Sequence, residues 1–172
     1  ITQTYGLDKP IFVQKGDLVA SLARNDLVRL KYKIQTAPGR PLHLRLLESD
    51  PSAVQVVEAV SSMHEKDALV EGALVLFPKS PQVIFNVFAV LQELPEGLQR
   101  QYTLANFTSP EVFTKIREKL QKAWDASGGD AKSGRNKLIS TKVRVRVKGK
   151  FNQVDPNQAN VQVLLASPDD IQ

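Results

Sequence analysis

Five basic residues stand at alternate positions near the end of the chain, and their chemistry is the binding of anions. They are Lys142, Arg144, Arg146, Lys148 and Lys150. A β-strand would place all five on one face, with Val143, Val145, Val147 and Phe151 on the other. Like charges two residues apart repel, so such a row is tolerated when it is exposed or paired with acids. Two interpretations stay open: a solvated sheet face neutralised by its neighbours, or a docking surface for acidic peptide, phosphoinositide or nucleic acid.

A second group of candidate binding residues lies on a well-marked helix upstream of this row. Ser109 is a good N-cap and Pro110 suits the first helical position. An apolar stripe at helical spacing follows, made of Val112, Phe113, Ile116, Leu120, Ala123 and Trp124. Its simplest role is to pack on a sheet. If one side of the helix stays open, it forms an apolar pocket with a basic rim. The candidate partner-binding residues here are Phe113, Lys115, Ile116, Lys119 and Trp124.

Residue types that carry catalysis are scarce. The absence of cysteine excludes disulfides, thiol catalysis and Cys-ligated metals. His43 and His64 are far apart and belong to no His/Asp/Glu cluster with metal-ligand spacing. Gly129 and Gly134 have the spacing of a phosphate loop, but Arg135-Asn136 follows instead of Lys and Ser/Thr, and the loop comes after a helix. We therefore expect no enzyme activity, no metal and no cofactor.

Charge is unevenly distributed along the 172 residues. Ser109–Lys150 holds 12 of the 23 basic residues and only four acids, whereas the remainder carries a small net negative charge. This separation predicts an acidic or anionic partner. The lack of cysteine favours a reducing compartment such as the cytoplasm. No apolar run approaches the length of a membrane helix. No signal-peptide pattern opens the chain. Because it begins at Ile1 and not at Met, we expect it to be a fragment of a longer protein.

The first 107 residues read mostly as short strands. Leu27–Ile34 alternates apolar with basic residues, and Leu42–Leu46 could pair with it as a hairpin. Residues 51–66 are ambiguous between a helix beginning at Asp50-Pro51 and a strand, and their valines favour the strand. Further strands are predicted at Leu69–Phe77, Gln82–Leu91, Gln101–Phe107, Leu138–Phe151 and Val161–Leu165.

These elements predict a mainly β (α+β) fold with two parts. Residues 1–107 would form an antiparallel immunoglobulin-like β-sandwich. Residues 108–172 would form a small α+β platform with the amphipathic helix and a basic β-hairpin.

Three stretches carry a family resemblance. Asn106–Phe113 looks like a crossing from a sandwich into a platform helix, Val143–Asn160 like a central platform strand with its turn, and Gly16–Val19 like an opening hairpin. In this order they resemble the appendage (ear) domain of clathrin-adaptor large subunits of the alpha-adaptin type. The resemblance implies a cytoplasmic module of endocytosis and vesicle-mediated transport. Such a module is held at membranes by a coat complex and binds short Asp/Phe-containing peptides.

One departure from that family concerns its binding groove, which centres on a tryptophan just after an aromatic pair. The matching positions here are Val112, Phe113 and Ile116, and the single tryptophan is Trp124.

Three functions follow from the sequence. The first is a non-enzymatic protein-interaction module that binds acidic or Asp/Phe-containing peptides through the helix and the basic strand. The alternative is a nucleic-acid-binding β-protein that uses residues 142–150, although no aromatic residue is interleaved with the basic positions. The third is a structural β-protein whose basic patch serves assembly.

Overall fold

The computed structural model describes residues 20–35, 38, 43–47, 49–77, 81, 85–95, 98–127, 139–153, 155 and 160–172. The side chains of 34, 35, 43–45 and 139–142 are not part of that description. The side-chain predictions for His43 and Lys142, and all predictions for the Gly129–Gly134 loop and the Gly16–Val19 hairpin, therefore lie outside what the structure describes.

The main feature is a closed five-stranded barrel. Its strands are β5 (Asp67–Phe77), β6 (Val87–Glu93), β7 (Gln99–Ala105), β8 (Ile139–Asn152) and β9 (Val161–Leu164). Around the barrel they follow the order β5-β6-β7-β9-β8. All neighbours are antiparallel except β7 and β9, which run parallel.

Closure depends on β5, which pairs with strands on both of its edges. It pairs with β8 from Asp67 to Leu76 and with β6 from Ala73 to Phe77. The register with β8 shifts between Ala73 and Val75. Such an irregularity bends a strand and increases its twist, and this lets a short sheet curl into a barrel.

Alternate residues of the barrel strands point inward and form the core. The fully buried side chains include Val70, Leu74, Leu76, Val90, Val147, Val161 and Val163. The same period of two leaves Leu69 and Glu71 of β5 on the outer face. Burial of one face of each strand is the main source of stability in such a fold.

Helix α1 (Pro110–Ala126) lies between β7 and β8 in sequence and packs into the barrel core. The Oγ of Ser109 accepts a hydrogen bond from the backbone N–H of Val112, as the N-cap prediction required. Ile116, Leu120 and Trp124 are buried. The helix prediction and its core face are therefore confirmed.

The last residues close the gap between α1 and β8. After a 3-10 turn at Pro168–Asp170, the backbones of Gln172 and Arg146 exchange two hydrogen bonds of 2.8 and 2.9 Å. Lys119 of α1 donates to the carbonyls of Pro168 and Ile171, at 2.8 and 2.7 Å. This tail therefore extends the sheet beside the middle of β8.

The earlier part of the chain forms two small antiparallel pairs, β1 (Leu27–Leu30) with β4 (Val54–Glu58) and β2 (Tyr32–Gln35) with β3 (His43–Leu46). The β2–β3 pair confirms the predicted hairpin for its second half, whereas Leu27–Leu30, predicted as part of the same strand, pairs with β4. Asp50 caps a 3-10 turn at Pro51–Ala53, and β4 follows directly. Strand was therefore the right interpretation for residues 54–58, whereas residues 60–63 form a further 3-10 turn.

A buried arginine joins these pairs to the barrel. The guanidinium of Arg100 on β7 donates to the Glu58 carboxylate on β4 and to the backbone carbonyl of Asn25, and it contacts the Met63 sulfur. Because Arg100 is only 9% exposed, its positive charge needs these partners.

The fold is mainly β, as predicted, but its architecture differs from the predicted sandwich. The strands of residues 67–105 close a mixed barrel with β8 and β9 instead of forming one sheet of an immunoglobulin-like pair. Residue 107, the predicted boundary, lies between two strands of that barrel. The parallel pairing of β7 with β9 across the intervening helix is the contact that the sequence pattern did not indicate.

Candidate functional site

The outer face of β8 carries the predicted basic row. Arg144, Arg146, Lys148 and Lys150 are exposed. Between them, Val145 and Val147 are buried in the barrel. The period-two prediction is therefore confirmed for residues 144–150.

One acid neutralises part of this row. Glu71 on β5 lies opposite Arg146. Its Oε2 accepts hydrogen bonds from Nε and Nη2 of Arg146, at 3.0 and 2.7 Å. The Nε of Arg144 is 4.0 Å from Glu71 Oε1. The hydrogen bond from Arg146 and the positive charge of Arg146 hold the pKa of Glu71 below its usual value.

The other end of the row is less neutralised. Lys150 lies opposite Asp67 and Lys148 opposite Leu69, which is 62% exposed. Neither lysine forms an ion pair with any residue that the structure describes. Both ammonium groups can therefore contact an anion without first breaking a salt bridge, and Asp67 across from Lys150 is the one described acid that faces this end of the row. The exposed outer face is suited to binding charge, not to enclosing a substrate.

The helix candidates do not form one surface. Ile116 and Trp124 lie in the core, at 0% and 1% exposure, so a partner cannot contact their side chains in this fold. Lys119 is held by the carbonyls of the C-terminal tail. Lys115 is exposed. Phe113 is half-buried in an aromatic cluster that Phe85 and Arg117 complete.

This cluster was missed at the level of sequence. The rings of Phe85 and Phe113 meet edge to face, with centroids 5.7 Å apart. The guanidinium carbon of Arg117 lies 4.5 Å from the Phe85 centroid. Phe113 and Arg117 are four residues apart on α1, a spacing that places them side by side. No sequence signal places Phe85 beside them, because it belongs to the segment before β6.

No candidate metal site is present among the described residues. They contain no group of three or more His, Asp or Glu side chains placed to hold a metal ion. The half-buried His64 accepts a hydrogen bond at Nδ1 from the backbone N–H of Gln153, which is a structural contact. In the described part of the chain, no helix has both the length and the apolar character needed to cross a membrane.

Comparison with known proteins gives no relative: no family model, no curated protein and no solved structure matches this chain.

Proposed function

We propose that this chain is a non-enzymatic binding module whose basic β8 face binds a polyanion, single-stranded nucleic acid in particular. The observation that carries the proposal is the row of four exposed cations from Arg144 to Lys150. An extended polyphosphate can follow such a row along the strand. Lys and Arg that neutralise phosphates release bound counterions, and this release drives binding without requiring a particular sequence.

The architecture supports the binding of an oligonucleotide, but not the choice of β8 as the binding face. The barrel resembles the OB-fold in its five strands, in the order around the barrel and in the helix between its third and fourth strands. Barrels of that type bind oligonucleotides and oligosaccharides. Their usual binding face lies on the second and third strands, whereas the cations here lie on the fourth, β8. The proposed contact therefore uses a different face of the barrel.

The peptide-binding alternative of vesicle-coat type has less support from the geometry. It needs an open groove along α1, and Ile116 and Trp124, two of the residues predicted to line it, lie in the core. The charges of the β8 face would still attract an acidic peptide. The experiment must therefore compare the two kinds of polyanion directly.

The test is a fluorescence-anisotropy titration of a labelled single-stranded oligonucleotide of about 15 nucleotides, a length on the order of one barrel's site. Lys148 and Lys150 are replaced together by alanine, and a matched control replaces the exposed Lys115 and Lys122 on α1. Each phosphate contact on a single strand contributes about 0.7 to the slope of log affinity against log salt. Loss of two contacts should therefore lower the slope by about 1.4 and weaken binding about 25-fold at roughly 0.1 M salt.

The control pair should change the affinity much less, because it removes the same charge from another surface. Equal losses for the two pairs would show that binding follows net charge and not the β8 face. Polyglutamate serves as the competing polyanion. If it binds as tightly as the oligonucleotide, the nucleic-acid assignment fails and the acidic-peptide interpretation replaces it.

A further inference from the structure

Arg117 is held in a fixed orientation by aromatic rings at the surface of the barrel. Its guanidinium lies over the ring of Phe85, and the Phe113 centroid is 5.6 Å away. The two rings contact each other edge to face. A small depression between α1 and the start of β6, with room for about one water molecule, is lined by these three residues with Asn86 and Val87. Stacking on a ring restricts the guanidinium plane before any ligand arrives.

No described acid balances this charge. Arg100 and Arg146 each donate to a carboxylate, from Glu58 and Glu71 respectively. Arg117 has no carboxylate within salt-bridge distance among the described residues, and its buried Nε has no hydrogen-bond partner. A buried donor without a partner costs free energy. A ligand would therefore have to contact the guanidinium through its Nη groups, because Nε is closed to solvent.

The chemistry of the missing partner follows from the shape of guanidinium. Its N–H groups form a planar fork that matches two oxygens of a carboxylate or a phosphate. The rings of Phe85 and Phe113 strengthen such a contact because they keep water away from one side of the guanidinium. We propose that Arg117, stacked on Phe85 and bordered by Phe113, is an oxyanion-binding site, separate from the basic row of β8. Its ligand is a carboxylate or phosphate group.

The test follows the side-chain Nε–H signal of Arg117 by NMR while methyl phosphate, acetate or neutral acetamide is added at constant ionic strength. The two anions should shift this signal and the ring signals of Phe85 and Phe113, and acetamide should not. Stronger binding of methyl phosphate assigns a phosphate ligand, and stronger binding of acetate a carboxylate. If neither anion shifts these signals, or if acetamide shifts them equally, the proposal is wrong.

Variants separate the site from general electrostatics. Arg117→Gln should weaken anion binding at least tenfold, whereas Lys115→Gln, with the same change of charge on the same helix, should change it less than twofold. Arg117→Lys keeps the charge but lacks the fork, so it should also bind at least fivefold more weakly. This second variant decides the matter if Arg117→Gln does not fold, and unchanged binding in it would refute the bidentate contact.

The oxyanion site proposed at Arg117 does not depend on the function proposed for β8. Replacing Lys148 and Lys150 should leave methyl phosphate binding at Arg117 unchanged. Either proposal can therefore be refuted while the other remains valid.

Discussion

Replacing Gly72 by alanine should destabilise the barrel at the point where β5 begins to pair with β6. A Cβ added at Gly72 would lie 2.2 Å from the backbone oxygen of Leu91 and 2.7 Å from its carbonyl carbon. Real Cβ atoms essentially never come closer than 3.0 Å to such atoms, so the two strands must separate by about 0.8 Å. Both contacts are with backbone atoms, and no side-chain rotation can relieve them.

The magnitude follows from two opposing effects. Overpacking a well-filled interior costs about 1–3 kcal/mol and occasionally more. The cost at Gly72 lies in the upper part of that range, because the strand backbone it would contact cannot move aside. Loss of unfolded-state freedom on Gly→Ala replacement returns about 0.4–1 kcal/mol. The expected net loss is about 2 kcal/mol in the free energy of unfolding. For a chain of this size, that corresponds to a fall in Tm of roughly 4–8 °C.

The assay is thermal unfolding followed by far-UV circular dichroism, with urea unfolding as a second measurement. Leu69→Ala is the matched control, because it places the same residue on the same strand at an exposed position. It should change the stability by no more than about 0.5 kcal/mol. Gly149→Ala should behave like Gly72→Ala, because its Cβ would lie 2.3 Å from the backbone oxygen of Leu164.

A Gly72→Ala protein that melts within about 1 °C of the parent would refute this reasoning, since overpacking by a backbone clash cannot cost so little. It would mean that β5 and β6 do not approach each other as closely as described. If Gly149→Ala were neutral as well, the closed barrel itself would be in error.

Four further outcomes, from three variants, test other parts of the structure. Glu71→Gln should free Arg146 and raise oligonucleotide affinity about fivefold at roughly 0.1 M salt, measured by anisotropy; unchanged affinity would mean that Arg146 does not contact phosphate. The folded-state pKa of Glu71 is lowered, so its contribution to stability is present above its unfolded pKa and is lost as pH falls through the folded value. Chemical unfolding from pH 7 to pH 3 should therefore show a smaller decrease in the free energy of unfolding for Glu71→Gln than for the parent. Trp124→Ala should cost about 3–5 kcal/mol in urea unfolding because the indole fills the core, and a loss below about 1 kcal/mol would place Trp124 at the surface after all. Lys119→Gln should speed hydrogen exchange at the Ile171 and Gln172 amides severalfold while the β7 amides keep their protection; unchanged exchange would show that Lys119 does not hold the tail.

Local signals explain the parts of the fold that the sequence could predict. The Ser109 cap and the stripe through Ile116 and Trp124 define a helix, because both depend on residues close together in the chain. The alternation of Arg144 to Lys150 with valines defines which face of β8 is exposed. These patterns determine which side of an element is buried, and here they were right.

The candidate site could be predicted only in part for the same reason. Alternation placed the cations of β8 on one face but could not say which acids stand opposite them. Glu71 is 75 residues away from Arg146 in the chain. An apolar stripe likewise cannot distinguish a core helix from one with an open groove, and burial in the barrel decided this for Ile116 and Trp124.

By itself, then, the sequence determined most of the elements, their buried faces and the position of the basic row, but not the division of Leu27–Ile34 into two strands. The tertiary structure alone decided which strands pair, and therefore a barrel in place of a sandwich. Strand pairing depends on contacts between distant segments, such as β7 with β9, and on close backbone approaches such as that at Gly72. The tertiary structure also places Phe85 beside Arg117. The sequence could not predict this contact, because a contact between residues far apart in the chain leaves no trace in local periodicity.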